Sequence, residues 1–420
     1  MKVFLTSYGG GHVTAIIPTY KELVRRGHQC QFLALTTAAE VARRHDIAYS
    51  RPIDYVDMSD TFVTSWGERL AKSHHTEGKG LTREESIAYL GVSFRDLAAD
   101  IGEAAAWARY EKHGLNAFAP VYFMRSILTR EAPNFVVATT SPRMEKAALR
   151  AAYQLNIPSL CMVELFGLME ESWLSRPDNG QLLAVSRPEV IDRLAAAGRE
   201  RRDIFLTGSP MFDQLADPSL PEAGRAWRRD RGVAEHEKLV FWAEQPEPLD
   251  PELPRRVRAH LVNVCRANNW RLVVRLHPSS TDASKEQIAG GCLQSYAHEP
   301  LTHVIFACDV GTTLTSTVGW EVLLAQKPLL VMTISPYSST VTYGQNDGAL
   351  AVPSLEDAEQ GLRLLLQGGD AAERLVALRR ALPRPGEATR RICDLIESIE
   401  EIAVTAPGRR PLRPTQEGYK

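Results

Sequence analysis

The run Val3-Phe4-Leu5-Thr6-Ser7-Tyr8-Gly9-Gly10-Gly11-His12 decides the architecture. Its first residues have the apolar character of a short buried strand. Three glycines then permit a tight turn, because a residue without Cβ reaches positive φ and lets other groups approach its backbone. Residues 16–26 continue as a helix, with Pro18 tolerated in the first turn and Gly27 after the last. Residues 31–35 read as a second strand and 38–45 as a second helix. Strands separated by single helices pair in parallel, because the helical crossover returns the chain to the same end of the sheet.

The alternation continues outward from this unit. Residues 57–115 interrupt it: they are polar, hold His74 and His75, have helical composition over 86–110, and are expected to project from the sheet as helices. Strands resume at 134–140, 159–164, 182–186 and 204–206. Thr207-Gly208-Ser209-Pro210 and Asp217-Pro218-Ser219-Leu220-Pro221 then mark a boundary. A second series follows, with strands expected at 239–243, 271–276, 304–306 and 329–334. Its helices fall at 252–267, 316–324, 355–366, 371–381 and 387–403. A chain of 420 residues exceeds what one hydrophobic core supports. The expected fold is therefore α/β, with two Rossmann-like, doubly wound parallel-sheet domains facing across a cleft. Residues 1–210 form the first and 211–385 the second. A C-terminal helix over 386–405 packs back toward the first domain, and 406–420 is a flexible, proline-bearing tail.

Composition removes several function classes. With 44% apolar and 24% charged residues the chain is ordinary globular protein, and a net charge of −2 argues against non-specific nucleic-acid binding. The six cysteines are scattered, without C-x-x-C or metal-ligand spacing, and read as reduced core thiols of a cytoplasmic protein. There is no signal-peptide pattern and no apolar stretch long enough to span a membrane. No D-x-D run occurs in a site-like context, so neither an obligatory metal nor a cofactor is expected. Nothing in the sequence fixes an oligomeric state.

Three stretches carry candidate chemistry. In the first, Gly9, Gly10 and Gly11 let a ligand approach the backbone, and His12 at the loop's end can take a proton near neutral pH. The loop is not G-x-G-x-x-G, and Thr36-Thr37 stands where a dinucleotide enzyme would place an acidic ribose partner. In the second, Arg275-Leu276-His277-Pro278-Ser279-Ser280, the proline holds His277 extended at a strand's carboxyl end. In the third, Thr315, Ser316 and Thr317 crowd a helix start, where hydroxyls and free N–H groups can bind phosphate. Gly319 allows close approach of a ligand or a strand, and Glu321, one turn after Thr317, can accept from two ribose hydroxyls.

The glycine loop with its histidine, the following helix and Arg26-Gly27-His28 resemble the N-terminal signature of GT-B glycosyltransferases. The peptidoglycan N-acetylglucosaminyltransferases and the UDP-glycosyltransferases are of this kind. Residues 271–280 and 313–328 also resemble proteins of bacterial surface-polysaccharide synthesis. The resemblance implies sugar transfer from a nucleotide-activated donor, a UDP-sugar above all, to a small-molecule or glycan hydroxyl. It implies that His12 is the base and that the first domain takes the acceptor. His277, Thr315, Ser316, Thr317, Gly319 and Glu321 would hold the donor. The plant-type donor box is absent, and residues 57–115 match no known element. A rival on the same fold is a UDP-N-acetylglucosamine 2-epimerase, since Thr207-Gly208-Ser209-Pro210 followed by Asp213 resembles its domain junction. That reading needs cleft carboxylates, for which Glu164 and Glu244 are the candidates, and it lacks the usual G-T-R-P opening; in the transferase reading Glu244, like Gly9, Gly10 and Gly11, is a loop contact to acceptor or donor. A third reading is a non-catalytic nucleotide-sugar-binding protein.

Overall fold

In the computed structural model the first strand, β1 (Lys2–Ser7), is buried from Val3 onward and pairs in parallel on both sides. Its neighbours are β2 (Gln29–Ala34) and β3 (Phe135–Thr139). The structure describes residues 1–76, 80–164, 166–167, 171–277, 291–339, 341, 343 and 347–405. It resolves into two compact units, Met1–Asp213 with the chain from Glu387 onward, and Gln214–Gly386. The expected tail, 406–420, lies outside the described residues.

The first unit carries a six-stranded parallel sheet in the order β2-β1-β3-β4-β5-β6, completed by β4 (Ser159–Met162), β5 (Leu182–Val185) and β6 (Ile204–Leu206). Helix α1 (Gly11–Arg25) begins directly at the glycine loop rather than at residue 16. Gly10, at φ 69°, turns the chain so sharply that the next residue is already helical. Pro18 consequently sits inside the helix, where its missing N–H removes one backbone bond. Helix α2 (Ala38–Arg44) follows β2.

The interruption at 57–115 consists of α3 (Thr61–His74), α4 (Arg83–Ile101) and α5 (Glu103–His113), with Gly102 separating the last two. Asp60 caps α3, and Thr82 with Glu85 forms a capping box on α4. Glycines seat α3 on α4: a Cβ at Gly67 would strike the Ile87 carbonyl, and one at Gly91 the Val63 carbonyl. Helix α6 (Val121–Glu131) leads into β3, and α7 (Met144–Gln154) leaves it.

The C-terminal helix Ala388–Thr405 belongs to the first unit. Its Ile392, Cys393, Leu395, Ile396 and Ile399 share a core with Ile16 and Leu23 of α1. Arg26 bonds Asp394 and Glu397 at 2.7 Å each, and His28 Nε2 lies 2.8 Å from Glu397. Asp213 caps this helix, accepting from the Ala388 N–H at 3.1 Å, the Thr389 N–H at 2.8 Å and the Thr389 hydroxyl at 2.6 Å.

The second unit carries a parallel sheet in the order β12-β11-β10-β7-β8-β9. Its strands are β7 (Leu239–Ala243), β8 (Arg271–Arg275), β9 (Leu293–Ser295), β10 (Val310–Thr313), β11 (Leu329–Met332) and β12 (Leu350–Val352). Residues 304–306 are not a strand; they lie in the helix Leu301–Ala307. A three-residue apolar run suits a buried strand or a buried helix face equally. Here Pro300 precedes a helical turn whose Val304 and Ile305 are buried, and the helix Leu220–Asp230 approaches it closely where Gly224 meets Phe306 and Ala307. The strand that fills the sheet is Val310–Thr313, whose threonines masked it as part of a helix start.

Candidate functional site

In an open parallel sheet, ligands bind beyond the carboxyl ends of the strands where the strand order reverses. In the first sheet that point is β1, between β2 and β3, and the glycine loop leaves its carboxyl end. The three glycines differ in role. A Cβ at Gly9 would collide with the Thr37 hydroxyl, so Gly9 serves packing against α2. Gly10 and Gly11 are exposed, and a Cβ on either would meet nothing within 4 Å.

His12, the second residue of α1, is held from both ring nitrogens. Nδ1 lies 2.6 Å from the Thr139 hydroxyl at the end of β3, and Nε2 lies 3.0 Å from Glu164 Oε1 just beyond β4. Behind Thr139 stands Glu145, which is wholly buried. Glu145 accepts from the Tyr8 N–H at 2.6 Å, the Thr139 N–H at 3.0 Å and the Ser141 N–H at 3.3 Å, and also from the Thr139 hydroxyl. That hydroxyl has one proton and gives it to Glu145, so it offers His12 only a lone pair. The proton on His12 Nδ1 follows; Nε2 donates a second proton to the Glu164 carboxylate while that contact is made, and becomes basic only once that proton has left it. Burial pushes the Glu145 pKa up, against the pull of His12 and of its donors. The hydrogen bond to His12 lowers that of Glu164, again against burial. Sequence reading named His12 and Glu164 separately and missed Thr139 and Glu145. The one available signal was a carboxylate on the otherwise apolar face of α7, beside Met144, Ala147 and Ala148.

In the second sheet the order reverses at β7, between β10 and β8. The ends of these three strands carry Glu244, His277 and the hydroxyl run. The Gln245 side chain clamps Thr315, donating to its hydroxyl at 2.5 Å and accepting from its N–H at 3.1 Å. Ser316 N–H is taken by the Thr313 hydroxyl at 3.2 Å, and Val318 N–H by the Ser316 hydroxyl at 3.3 Å. Gly319 and Trp320 N–H groups go to the Ser316 and Thr317 carbonyls. The expected cradle of free N–H groups at this helix start is therefore largely used internally, and the exposed Thr317 hydroxyl is what remains presented. Gly319 gives close approach to protein rather than to a ligand: its Cβ would meet Tyr343 at 3.0 Å, Thr313 at 3.1 Å and Leu329 at 3.2 Å.

Glu321 is largely buried, and burial pushes its pKa up to about 7, with Arg275 pulling the other way. Arg275 itself is tied to Ser295 at 2.9 Å and to the Glu299 carbonyl at 3.0 Å. Glu244 is engaged inside its unit, accepting from Trp242 Nε1 at 3.1 Å with Arg258 at 3.5 Å. His277 is exposed two residues past β8; Pro278, Ser279 and Ser280 of its motif lie outside the described residues. Among the described residues no group of three or more His, Cys, Asp and Glu side chains could hold a metal ion. Among them, too, no helix is long and apolar enough to cross a membrane.

The sequence matches no protein-family model and no curated protein. Solved structures do share the fold. UDP-GlcNAc 2-epimerase from Neisseria meningitidis, solved bound to UDP-GlcNAc, aligns over 95% of this chain and 100% of its own, with TM-score 0.59 and 11% identity. A glycosyltransferase from Rickettsia africae aligns over 95% and 98%, with TM-score 0.56 and 13% identity. MurG from Acinetobacter baumannii aligns over 94% and 99%, with TM-score 0.54 and 13% identity. With its two six-stranded parallel sheets flanked by helices, this chain has the GT-B fold.

Proposed function

We propose that this protein is a glycosyltransferase that moves a sugar from a nucleotide-activated donor, a UDP-sugar, to a hydroxyl acceptor. The observation that carries the reading is His12, fixed at the carboxyl end of β1 with Nδ1 on Thr139 and Nε2 on Glu164. The first unit takes the acceptor and the second the donor. Glu164, half-exposed, takes the Nε2 proton and turns aside with it, so that the acceptor hydroxyl meets a free Nε2 lone pair. The acceptor oxygen attacks the anomeric carbon, its proton passes to Nε2, and the bond to the phosphate oxygen breaks with its electron pair. His12 then holds two protons, and Glu145, acting through Thr139, supports the imidazolium from the Nδ1 side. In the second unit Ser316, Thr317 and His277 receive the departing phosphate, and Glu321 accepts from the ribose hydroxyls. A single base on one face of the sugar suits inversion.

Thermal unfolding against UDP, GDP, CDP, CMP, TDP and ADP tests the donor half. A ligand that binds only the folded state at a hundredfold excess over its dissociation constant adds about 2.7 kcal/mol of stability. A rise with UDP that disappears in Glu321→Ala is expected; no rise with any nucleotide removes the donor assignment. One observation favours a second reading, a 2-epimerase: Glu164 and His12 already form an acid–base pair beside the glycine loop. Conversion of UDP-GlcNAc alone, without any acceptor, would decide for it.

A further inference from the structure

A cavity of about 220 Å³ lies at the carboxyl end of β2, roofed by the inserted helices α3 and α4. Its walls are mainly apolar, with Ile53, Leu81, Leu90 and Leu115 beside the ring of Tyr89. Its polar groups form a short account. Arg51 pairs with Glu85, and Glu85 also accepts from the Thr82 N–H at 2.7 Å, so these charges cancel. His74 Nε2 lies 2.6 Å from the Tyr110 hydroxyl, and desolvation together with Arg143 lowers its pKa, which disfavours its charged form.

That leaves Arg143. Its guanidinium lines the cavity over the Tyr8 ring, 4.9 Å from the centroid. It has no ion pair within 4.0 Å among the described residues, and its buried Nε has no hydrogen-bond partner. Neighbouring Glu145 spends its oxygens on Tyr8, Thr139 and Ser141 instead. The Arg143 backbone adopts φ 69° and ψ −117°, a conformation side-chain-bearing residues avoid and keep only where their surroundings impose it. The half-buried guanidinium feels the charge of Glu145 only from beyond ion-pair distance, and its planar fork matches a carboxylate in two parallel hydrogen bonds.

We infer that this cavity binds a compact apolar molecule bearing one carboxylate, which Arg143 pairs. The volume suits one or two rings, since an apolar cavity of about 150 Å³ takes benzene. Taking this molecule as the acceptor rests on the transferase reading; the binding site itself does not.

Calorimetry on the full chain tests the site without any nucleotide, with 2-naphthoate and its neutral isostere 2-naphthamide as probes. Naphthoate binds tighter by about tenfold or more, as a charge-assisted pair requires. Arg143→Met removes that preference while still binding naphthamide, which shows the cavity intact, and Arg143→Lys restores part of it. Equal affinity for the two probes, a preference that survives Arg143→Met, or no binding of either overturns the inference. A second arm offers 6-hydroxy-2-naphthoate and 6-hydroxy-2-naphthamide with nucleotide sugars. Naphthoate binding without sugar transfer counts against the transferase reading and leaves the site. Equal transfer to both compounds keeps the transferase and removes Arg143 as the selecting residue.

Discussion

Replacing Glu321 by glutamine should make the protein more stable, and increasingly so as pH rises. The carboxyl group is largely buried on the helix Val318–Leu324, and its pKa is raised from 4.5 to about 7. A group whose folded pKa exceeds its unfolded value favours folding relative to its ionised form only while protonated. Its contribution is whole below the unfolded pKa and is lost as pH rises through the folded one. The displacement of about 2.5 units corresponds to about 3 kcal/mol once both states have titrated. Between pH 5 and pH 8 wild type should therefore lose about 2.5 kcal/mol that Glu321→Gln keeps. Denaturant unfolding of both proteins across that range, followed by tryptophan fluorescence, reads the difference directly. Nucleotide affinity supplies a second readout. If the ionised carboxylate accepts ribose hydroxyls, UDP binds wild type more tightly above pH 7 than below it, and Glu321→Gln shows no such rise. A difference between the two proteins that stays flat from pH 5 to pH 8 would refute the burial argument.

Other outcomes follow from the same geometry. His12→Ala should lower kcat by about 10²- to 10⁴-fold with the fold unchanged, as loss of a general base does, measured by initial rates of nucleoside diphosphate release. Glu145→Gln should cost on the order of tenfold in kcat and leave acceptor KM nearly constant, because it weakens support of the imidazolium through Thr139 without touching substrate. Asp213→Ala removes the cap of the C-terminal helix and should destabilise the first unit by about 1 to 2 kcal/mol, seen as a lower urea midpoint at unchanged slope. Exhaustive EDTA treatment should leave the transfer rate unchanged, because every residue assigned to the phosphate is a hydroxyl or a histidine.

Much of the fold was legible because its signals are local. The apolar run of β1, its glycine turn and the next strand specify a βαβ unit whatever the rest of the chain does. The strand Leu239–Ala243 was equally plain. Errors arose where local chemistry is ambiguous. Gly10 and Gly11 have poor helix propensity, so the start of α1 was placed five residues late. Thr312 and Thr313 look like capping residues, yet they are buried in a central strand, where the Thr312 hydroxyl donates to the Phe241 carbonyl at 2.8 Å. That contact is long-range, and no window around residue 312 contains it.

The sites divide along the same line. His12 was visible because it ends a glycine loop. Glu164 was visible only as a separate carboxylate and Thr139 not at all, since one comes from beyond β4 and the other from β3, and only the parallel sheet brings them to one edge with His12. Glu321 was read from its spacing to Thr317, but its burial and raised pKa depend on the surrounding unit. Asp213 resembled an epimerase junction residue in sequence; the structure gives it a cap on the helix that returns from the chain's end. Gly319 was read as admitting a ligand or a strand, and the space it saves is taken by Tyr343 and by the strand residues Thr313 and Leu329.

The most direct measurement is product analysis after incubating the purified protein with UDP-GlcNAc and related UDP-sugars, each with and without a panel of hydroxyl acceptors. The account predicts UDP release and a glycosylated product only when an acceptor is present, both lost in His12→Ala. Acceptor-free conversion of UDP-GlcNAc to its 2-epimer, or acceptor glycosylation undiminished by His12→Ala, would contradict it.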